Sequence, residues 1–346
     1  MRGLATDGLV GLRLDVVDRL GIGYAWDRSA FRTDGWGVGD GVRRSLREGP
    51  MECRLRKIGV HYQIHGEGRP FLALHGWGLD HRTLANTLEP IFRRRNGWKR
   101  IYPDLPGMGK TKAPDWLTAS DQILDVLVEF ADRVAPGERL TLLGLSYGGY
   151  LAQGLIHRLS ERVDGVCLVV PSMGPPGTRD LPPFSVLREG PIDFQGADEE
   201  QVAAFRRMAV VQTREQFALW ERDVSPAARV ADGVFLAWLR KSYAFSFDVA
   251  CLPRPFSKPA LFVHGRQDSD CGYREAWNVL GSYPRATFAA LDRAGHCLTM
   301  EQGPLFAALL NEWLDRVAEA ASEGSGKGSS SQTMPSASSA SAVPAH

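Results

Sequence analysis

Nowhere in the 346 residues is there a run of about 18 uncharged apolar residues, the length a helix needs to cross a bilayer. The N-terminus also lacks a secretory signal. Asp7, Asp15 and Asp18 interrupt any apolar stretch, and no small-residue cleavage site follows. An excess of one charge is missing too: 41 Lys and Arg face 40 Asp and Glu, a net charge of +1. Such a balance offers no basic field to a nucleic acid or an anionic membrane. Cysteine is sparse. Cys53, Cys167, Cys251, Cys271 and Cys297 are odd in number and scattered without a CxxC pair, so free thiols in a reducing compartment are expected. No HExxH and no cluster of His and Asp in sequence marks a metal site. These absences predict a cytoplasmic chain with no metal or other cofactor and no nucleic-acid or membrane partner, either a monomer or a homodimer.

The apolar content, 44% of residues, is enough to build a core without disulfides. Its distribution is uneven. Residues 1–50 are rich in Gly, Arg and Asp and weakly periodic, so a poorly ordered extension is expected. Met51 stands as an alternative start, and a short amphipathic helix at Leu12–Leu20 is the competing reading. Residues 322–346 end in a Ser/Ala/Gly/Pro tract with too little apolar surface to offset its ordering entropy, and are expected to be disordered. Both ends should be dispensable to a core of residues 51–323.

Between them strands alternate with helices. CRLRKIGVHYQIHGEG reads as two antiparallel strands. FLALHG (71–76), RIYPDLPG (100–107), LTLLGLS (140–146), VDGVCLVVP (163–171) and ALFVHGRQD (260–268) are short continuous apolar runs, and ATFAALDRAGH (286–296) supplies a last strand. Runs of this kind suit parallel strands buried on both faces. Helical stretches fall at 82–94, 118–134 from a Thr118-x-x-Asp121 start, 147–159, 272–281 and 304–320. The pattern predicts a doubly wound, mostly parallel α/β sheet. Residues 172–255 break the rhythm with apolar residues at helical spacing (Phe205, Met208, Phe217, Trp220, Phe235, Trp238) and a Thr213-x-x-Gln216 capping box. They are expected to form a helical cap over the C-terminal edge of the sheet, inserted after the sixth strand, with the core at 51–171 and 256–321.

Chemistry concentrates at that edge. In Gly144-Leu145-Ser146-Tyr147-Gly148 a serine sits where a buried strand turns into a helix. A G-x-S-x-G turn of this kind exposes the hydroxyl above the sheet, and its glycines avoid collisions across the bend. It also leaves the Tyr147 N–H at a helix N-terminus, facing any negative charge that develops nearby. A serine needs a base and an acid to orient that base. His296 follows the last strand and Asp268 ends the one before, in the chain order Ser, Asp, His. The loop His75-Gly76-Trp77-Gly78 supplies a second oxyanion donor, the Trp77 N–H. The GMGKT stretch (107–111) is not a phosphate loop, because the earlier glycine such a loop requires is Asp104.

Taken together, HGWG, DLPGMGKT, GLSYGG, GRQD and AGH resemble the α/β-hydrolase fold family with a helical cap, over residues 54 to 320. The resemblance implies a cofactor-free serine hydrolase acting on a small-molecule substrate, a small and largely apolar ester or related acyl compound. Two alternatives stay open: hydrolysis of carbon–carbon bonds in vinylogous diketones, and a ligand receptor with little turnover. A serine rather than an aspartate at position 146 disfavours the alkyl-enzyme chemistry of dehalogenases and epoxide hydrolases. Much of the family has a small residue or Met at position 147, and many members continue the acid loop toward Val-Pro. Here Tyr147 follows the serine, and Ser269-Asp270-Cys271-Gly272 follows Asp268, which leaves Asp270 as an alternative orienting acid. Phe217, Trp220, Trp238 and Tyr243 are the candidate substrate-contacting side chains of the cap.

Overall fold

The computed structural model describes residues 49–326. The candidate helix at Leu12–Leu20 and the tail beyond residue 326 lie outside the described residues. Eight strands form one sheet: β1 (Gly49–Arg54), β2 (Gly59–His65), β3 (Arg69–Leu74), β4 (Trp98–Pro103), β5 (Leu140–Leu145), β6 (Val163–Val169), β7 (Ala260–Gly265) and β8 (Ala286–Leu291). Their spatial order is β1-β2-β4-β3-β5-β6-β7-β8. Only β2 runs against the rest, pairing antiparallel with both β1 and β4. The first strand begins at Gly49, two residues ahead of the expected boundary at Met51, because Gly49 and Pro50 pair with Ile64 and Gln63.

Period-two alternation decides which side each residue serves. Along β3, Leu72 and Leu74 join one core with α2 (Ser120–Val134) and α3 (Tyr147–Leu159). Phe71 and Ala73 point the other way, into a core shared with α1 (His81–Phe92) and the later C-terminal helix. Strands β5 and β7 are buried at all six positions, which accounts for their unbroken apolar sequence. Strand β8, at the sheet edge, is buried only at Leu291. Helix α2 starts at Ser120 rather than Thr118, because the Gln122 carboxamide oxygen accepts the N–H groups of Thr118 and Ala119 and so closes the first turn.

After β6 the chain leaves the sheet and returns at β7. The excursion carries α4 (Glu199–Met208), α5 (Arg214–Asp223), α6 (Ser225–Ala228) and α7 (Gly233–Leu239). It also carries a parallel ladder too short for its sequence to announce, Arg188–Glu189 against Val211–Gln212. Thr213 caps α5 by accepting from the Gln216 N–H. Beyond β7 come α8 (Arg274–Asn278), α9 (Leu298–Glu301) and α10 (Gly303–Gly326). Helix α10 runs past the expected end of the core at 321. The helix-forming run Ala318-Glu319-Ala320-Ala321 carries it on, and Ser322 Oγ bonds back to the Ala318 carbonyl at 2.9 Å. No helix among the described residues is long and apolar enough to cross a membrane.

The returning cap segment fastens itself to α3 by an aromatic row. Tyr243, Phe245 and Phe247, two residues apart, meet Tyr147, Tyr150 and His157 on one face of that helix. Tyr150 and Phe245 stack at 4.4 Å between ring centroids, and the Tyr150 hydroxyl accepts the Phe245 N–H. Gly154 makes room for this, since a Cβ there would stand 2.9 Å from the Phe245 ring. Phe245→Ala is therefore expected to lower the unfolding free energy by about 3–5 kcal/mol. A denaturant midpoint unchanged from wild type would show that the seam does not bear on stability.

Candidate active site

Strand β5 ends at Leu145 and α3 begins at Tyr147, which leaves one residue for the corner. Ser146 takes it with φ +54° and ψ −115°, a conformation that costs a non-glycine residue about 1–3 kcal/mol. The surroundings enforce it. The Ser146 N–H bonds the Val169 carbonyl at 2.9 Å, and the Ser146 carbonyl accepts the Ser172 N–H at 3.1 Å. A Cβ on Gly144 would come within 2.6 Å of Gly149 Cα, and one on Gly148 within 2.6 Å of the Leu74 carbonyl carbon. Only glycine allows the helix to turn back so close to β3 and β5.

His296 and Asp268 arrive from separate loops at the same sheet edge. His296 Nε2 lies 2.9 Å from Ser146 Oγ, and His296 Nδ1 lies 3.0 Å from Asp268 Oδ2. With Nδ1–H donating to the carboxylate, Nε2 is left with its lone pair toward the serine O–H. Asp268 is fully buried and its second oxygen accepts the N–H groups of Asp270 and Cys271, both at 2.9 Å. Burial alone would raise the Asp268 carboxyl, but the His296 charge and these hydrogen bonds outweigh it and hold the pKa below the usual value. Burial would lower the His296 pKa; the charges of Asp268, Cys271 and Asp270 together overcome it and hold the imidazole well above its ordinary value.

Asp270, the alternative acid, is brought to the same imidazole but to the opposite nitrogen. Its Oδ2 stands 3.4 Å from His296 Nε2 and its side chain is 54% exposed, so it faces the serine side and does not orient Nδ1. His264 Nδ1–H donates to the Gly272 carbonyl, and Arg179 Nη1 donates to the Asp270 carbonyl at 2.8 Å. The acid loop is thereby tied to β7 and to the root of the cap.

The glycine loop after β3 comes up to the serine. A Cβ on Gly76 would meet Ser146 Cβ at 3.3 Å. Burial lowers the pKa of His75, and its neutral ring donates from Nδ1 to the Gly76 carbonyl and accepts the Leu105 N–H at Nε2. The Gly76 carbonyl also accepts the Leu79 N–H at 3.2 Å. Because the Gly76–Trp77 peptide is planar and trans, the Trp77 N–H points away from both of these bonds. The Tyr147 N–H opens α3 and has no carbonyl one turn back to bond.

The four cap aromatics separate. Tyr243 reaches the site, with its ring centroid 5.0 Å from Tyr147 and 5.7 Å from Trp77. Phe217 and Trp220 do not: they pack with Phe205 and Ala209 in the cap's own core, and Trp220 Nε1–H donates to Gln201. That cluster meets the His296 loop at Cys297 and Met300. Trp238 stands 62% exposed with the Lys241 ammonium over its ring, because α7 turns Leu236 and Leu239 inward instead.

Three features went unread in the sequence. Cys271 Sγ lies 3.9 Å from Ser146 Oγ, and Arg179 Nη1 lies 3.6 Å from that sulfur. Asp104 binds the rings of His61 and His81 at 2.8 and 2.7 Å and the backbone N–H groups of His81 and Lys110. It fixes the Gly107–Met108 turn, and Met108 Sδ accepts the Gly78 N–H of the glycine loop. All five cysteines are free thiols.

A sequence model described as the alpha/beta hydrolase family matches residues 71–309, more than half of the chain. A curated relative from Metapseudomonas resinovorans, 2-hydroxy-6-oxo-6-(2'-aminophenyl)hexa-2,4-dienoic acid hydrolase, is 25% identical over 80% of this chain and 92% of its own length. The pimeloyl-[acyl-carrier protein] methyl ester esterase of Legionella pneumophila (strain Paris) is 21% identical, over 74% of this chain and its own full length. Among solved structures, an alpha/beta superfamily hydrolase from Oenococcus oeni PSU-1 superposes with a TM-score of 0.73 at 27% identity, covering 78% of this chain and 99% of that one.

A base with a raised pKa is neutral only above it. The acid limb of the rate profile should therefore have its midpoint above 6.5, the ordinary imidazole value, with activity rising through it. Asp270→Asn removes one of the charges that hold it up and should move the midpoint down. A limb at or below 6.5 in wild type, or one that Asp270→Asn leaves in place, contradicts this electrostatic account.

Proposed function

The chain belongs to the alpha/beta hydrolase family, and from that premise we propose that it is a serine hydrolase cleaving a small, largely apolar ester or related acyl compound. One observation carries the reading: a strained, φ-positive serine whose hydroxyl is 2.9 Å from an imidazole that is itself 3.0 Å from a buried carboxylate. In this mechanism Ser146 Oγ attacks the acyl carbonyl while His296 Nε2 takes the hydroxyl proton. Asp268 holds the Nδ1–H tautomer and stabilises the imidazolium as it forms. The Tyr147 and Trp77 N–H groups receive the oxyanion. His296 then delivers its proton to the leaving oxygen, and a water repeats the sequence on the acyl-enzyme. Asp270, on the Nε2 side, adds a second negative charge against the same imidazolium.

The apolar preference rests on the rings of Trp77, Tyr147 and Tyr243, which gather beside the serine. A relative named for a methyl ester supports ester cleavage. Relatives named for dienoic acid and muconate semialdehyde hydrolysis, 25% and 24% identical, favour a second reading, carbon–carbon bond hydrolysis with the same residues. Accumulation of an acyl-enzyme on an ester substrate decides for the first.

An organophosphonate probe should form one adduct per chain, at Ser146. Ser146→Ala should abolish labelling and nearly all turnover, with a melting temperature equal to or above wild type, because a strained turn stores energy that the hydroxyl does not relieve. Asp268→Asn should retain the fold and lower kcat steeply, by about 10⁴ if it follows a protease triad. Mass spectrometry of the labelled peptide and melting curves read the outcome. Labelling at another serine, or full turnover by the alanine variant, would sink the assignment.

A further inference from the structure

Cys271 stands against Ser146 and His296 with no part in the mechanism above. Its buried Sγ is 3.9 Å from Ser146 Oγ and 3.9 Å from Asp270 Oδ2, and that oxygen is 3.4 Å from His296 Nε2. Cys271 and His296 also fall within 4.8 Å of each other in a group with Asp268, whose carboxylate takes the Nδ1 side and leaves the Nε2 side to Asp270. Thiol, imidazole and carboxylate thus converge on the serine side of the imidazole. The geometry points to an inhibitory site for a borderline-soft divalent cation of the Zn²⁺ type, held by Cys271 Sγ, His296 Nε2 and Asp270 Oδ2, with Ser146 Oγ or a water as fourth ligand.

The dimensions suit that ion. Tetrahedral bonds of about 2.0–2.1 Å to nitrogen or oxygen and about 2.3 Å to sulfur place neighbouring donors about 3.3–3.5 Å apart. The nitrogen–oxygen edge already has this length and the sulfur–oxygen edge exceeds it by a few tenths of an ångström. Asp270 is exposed enough to turn inward and leave an entry path. The Nδ1–H of His296 is already given to Asp268, the arrangement in which a carboxylate orients an imidazole toward zinc. Charge balances as well: the thiolate, Asp270 and Asp268 face the two charges of the ion and the one of Arg179, whose guanidinium stands beside the sulfur. On binding, the ion sheds waters and the thiol releases its proton to solvent, with no change of oxidation state. Mg²⁺ and Ca²⁺ prefer all-oxygen sets and should not compete. With its Nε2 lone pair committed to the ion, His296 cannot accept the serine proton. This inhibitory consequence rests on the proposed role of His296; binding does not.

The test uses untagged full-length protein freed of metal by a chelator. ZnCl₂ titrated by calorimetry should bind at one ion per chain, and CoCl₂ should produce a thiolate-to-cobalt charge-transfer band. Ester turnover should fall along the zinc isotherm and return with EDTA. Cys271→Ser and Cys271→Ala should lose the band and bind zinc about tenfold or more weakly, and inhibition of each variant is read against its own metal-free rate. Wild-type protein that binds no zinc, or variants that bind it and are inhibited unchanged, overturn the proposal. One zinc bound through Cys271 in a protein that cleaves no ester upholds the site and removes the ester reading instead.

Discussion

The close approach of α3 to strands β3 and β5 is the constraint on which the rest depends. Two glycines allow it, and two backbone hydrogen bonds from the Ser146 peptide hold it. The cost of the corner, about 1–3 kcal/mol, is carried by a sheet in which β5, the strand that leads into it, is buried at every position. In return the serine hydroxyl stands clear of both elements. It meets side chains that follow β7 and β8, strands that come after it in space and in sequence. A looser turn would lower the strain and lose the meeting point.

Around that point electrostatics work on one ring from two sides. Asp268 faces Nδ1 and is buried; Asp270 faces Nε2 and is half in water. The first decides tautomer and orientation, because a dry hydrogen-bonded carboxylate has no freedom to turn away. The second has such freedom, so its contribution is a field rather than a fixed bond. Both strengthen the imidazole as a base while reducing the fraction of it that is neutral near pH 7.

What could be read beforehand follows from which information is local. Backbone demands are local: Gly144, Ser146 and Gly148 announce a turn whatever surrounds them, and unbroken apolar runs announce buried parallel strands. Asp268 and His296 could be placed because strand ends in such a sheet share one edge. The cap aromatics could not be sorted, since helical spacing marks a buried face but not what buries it. Phe217 and Trp220 have the same spacing whether they face Phe205 or a substrate. Cys271 drew no attention because its closeness to Ser146 comes from residues 125 positions apart. Asp104 was legible only as part of a turn, as its imidazole partners belong to β2 and α1.

The cap is therefore not a free lid on a finished site. Its returning segment is stacked on α3, the helix that begins at the serine, and its root is tied by Arg179 to Ser172, Gly174 and the Asp270 carbonyl. Tyr243 belongs to the stacked segment and Trp77 to the glycine loop, yet their rings meet beside Tyr147. Displacing the returning segment would disturb this aromatic wall, and displacing the root would disturb the acid loop. The cap's own core of Phe205, Phe217 and Trp220 makes a further attachment: it packs on Cys297, the residue after His296, while Thr83 and Asn86 of α1 donate to Asp223 at the end of α5 and Glu301 accepts the Val210 and Val211 N–H groups.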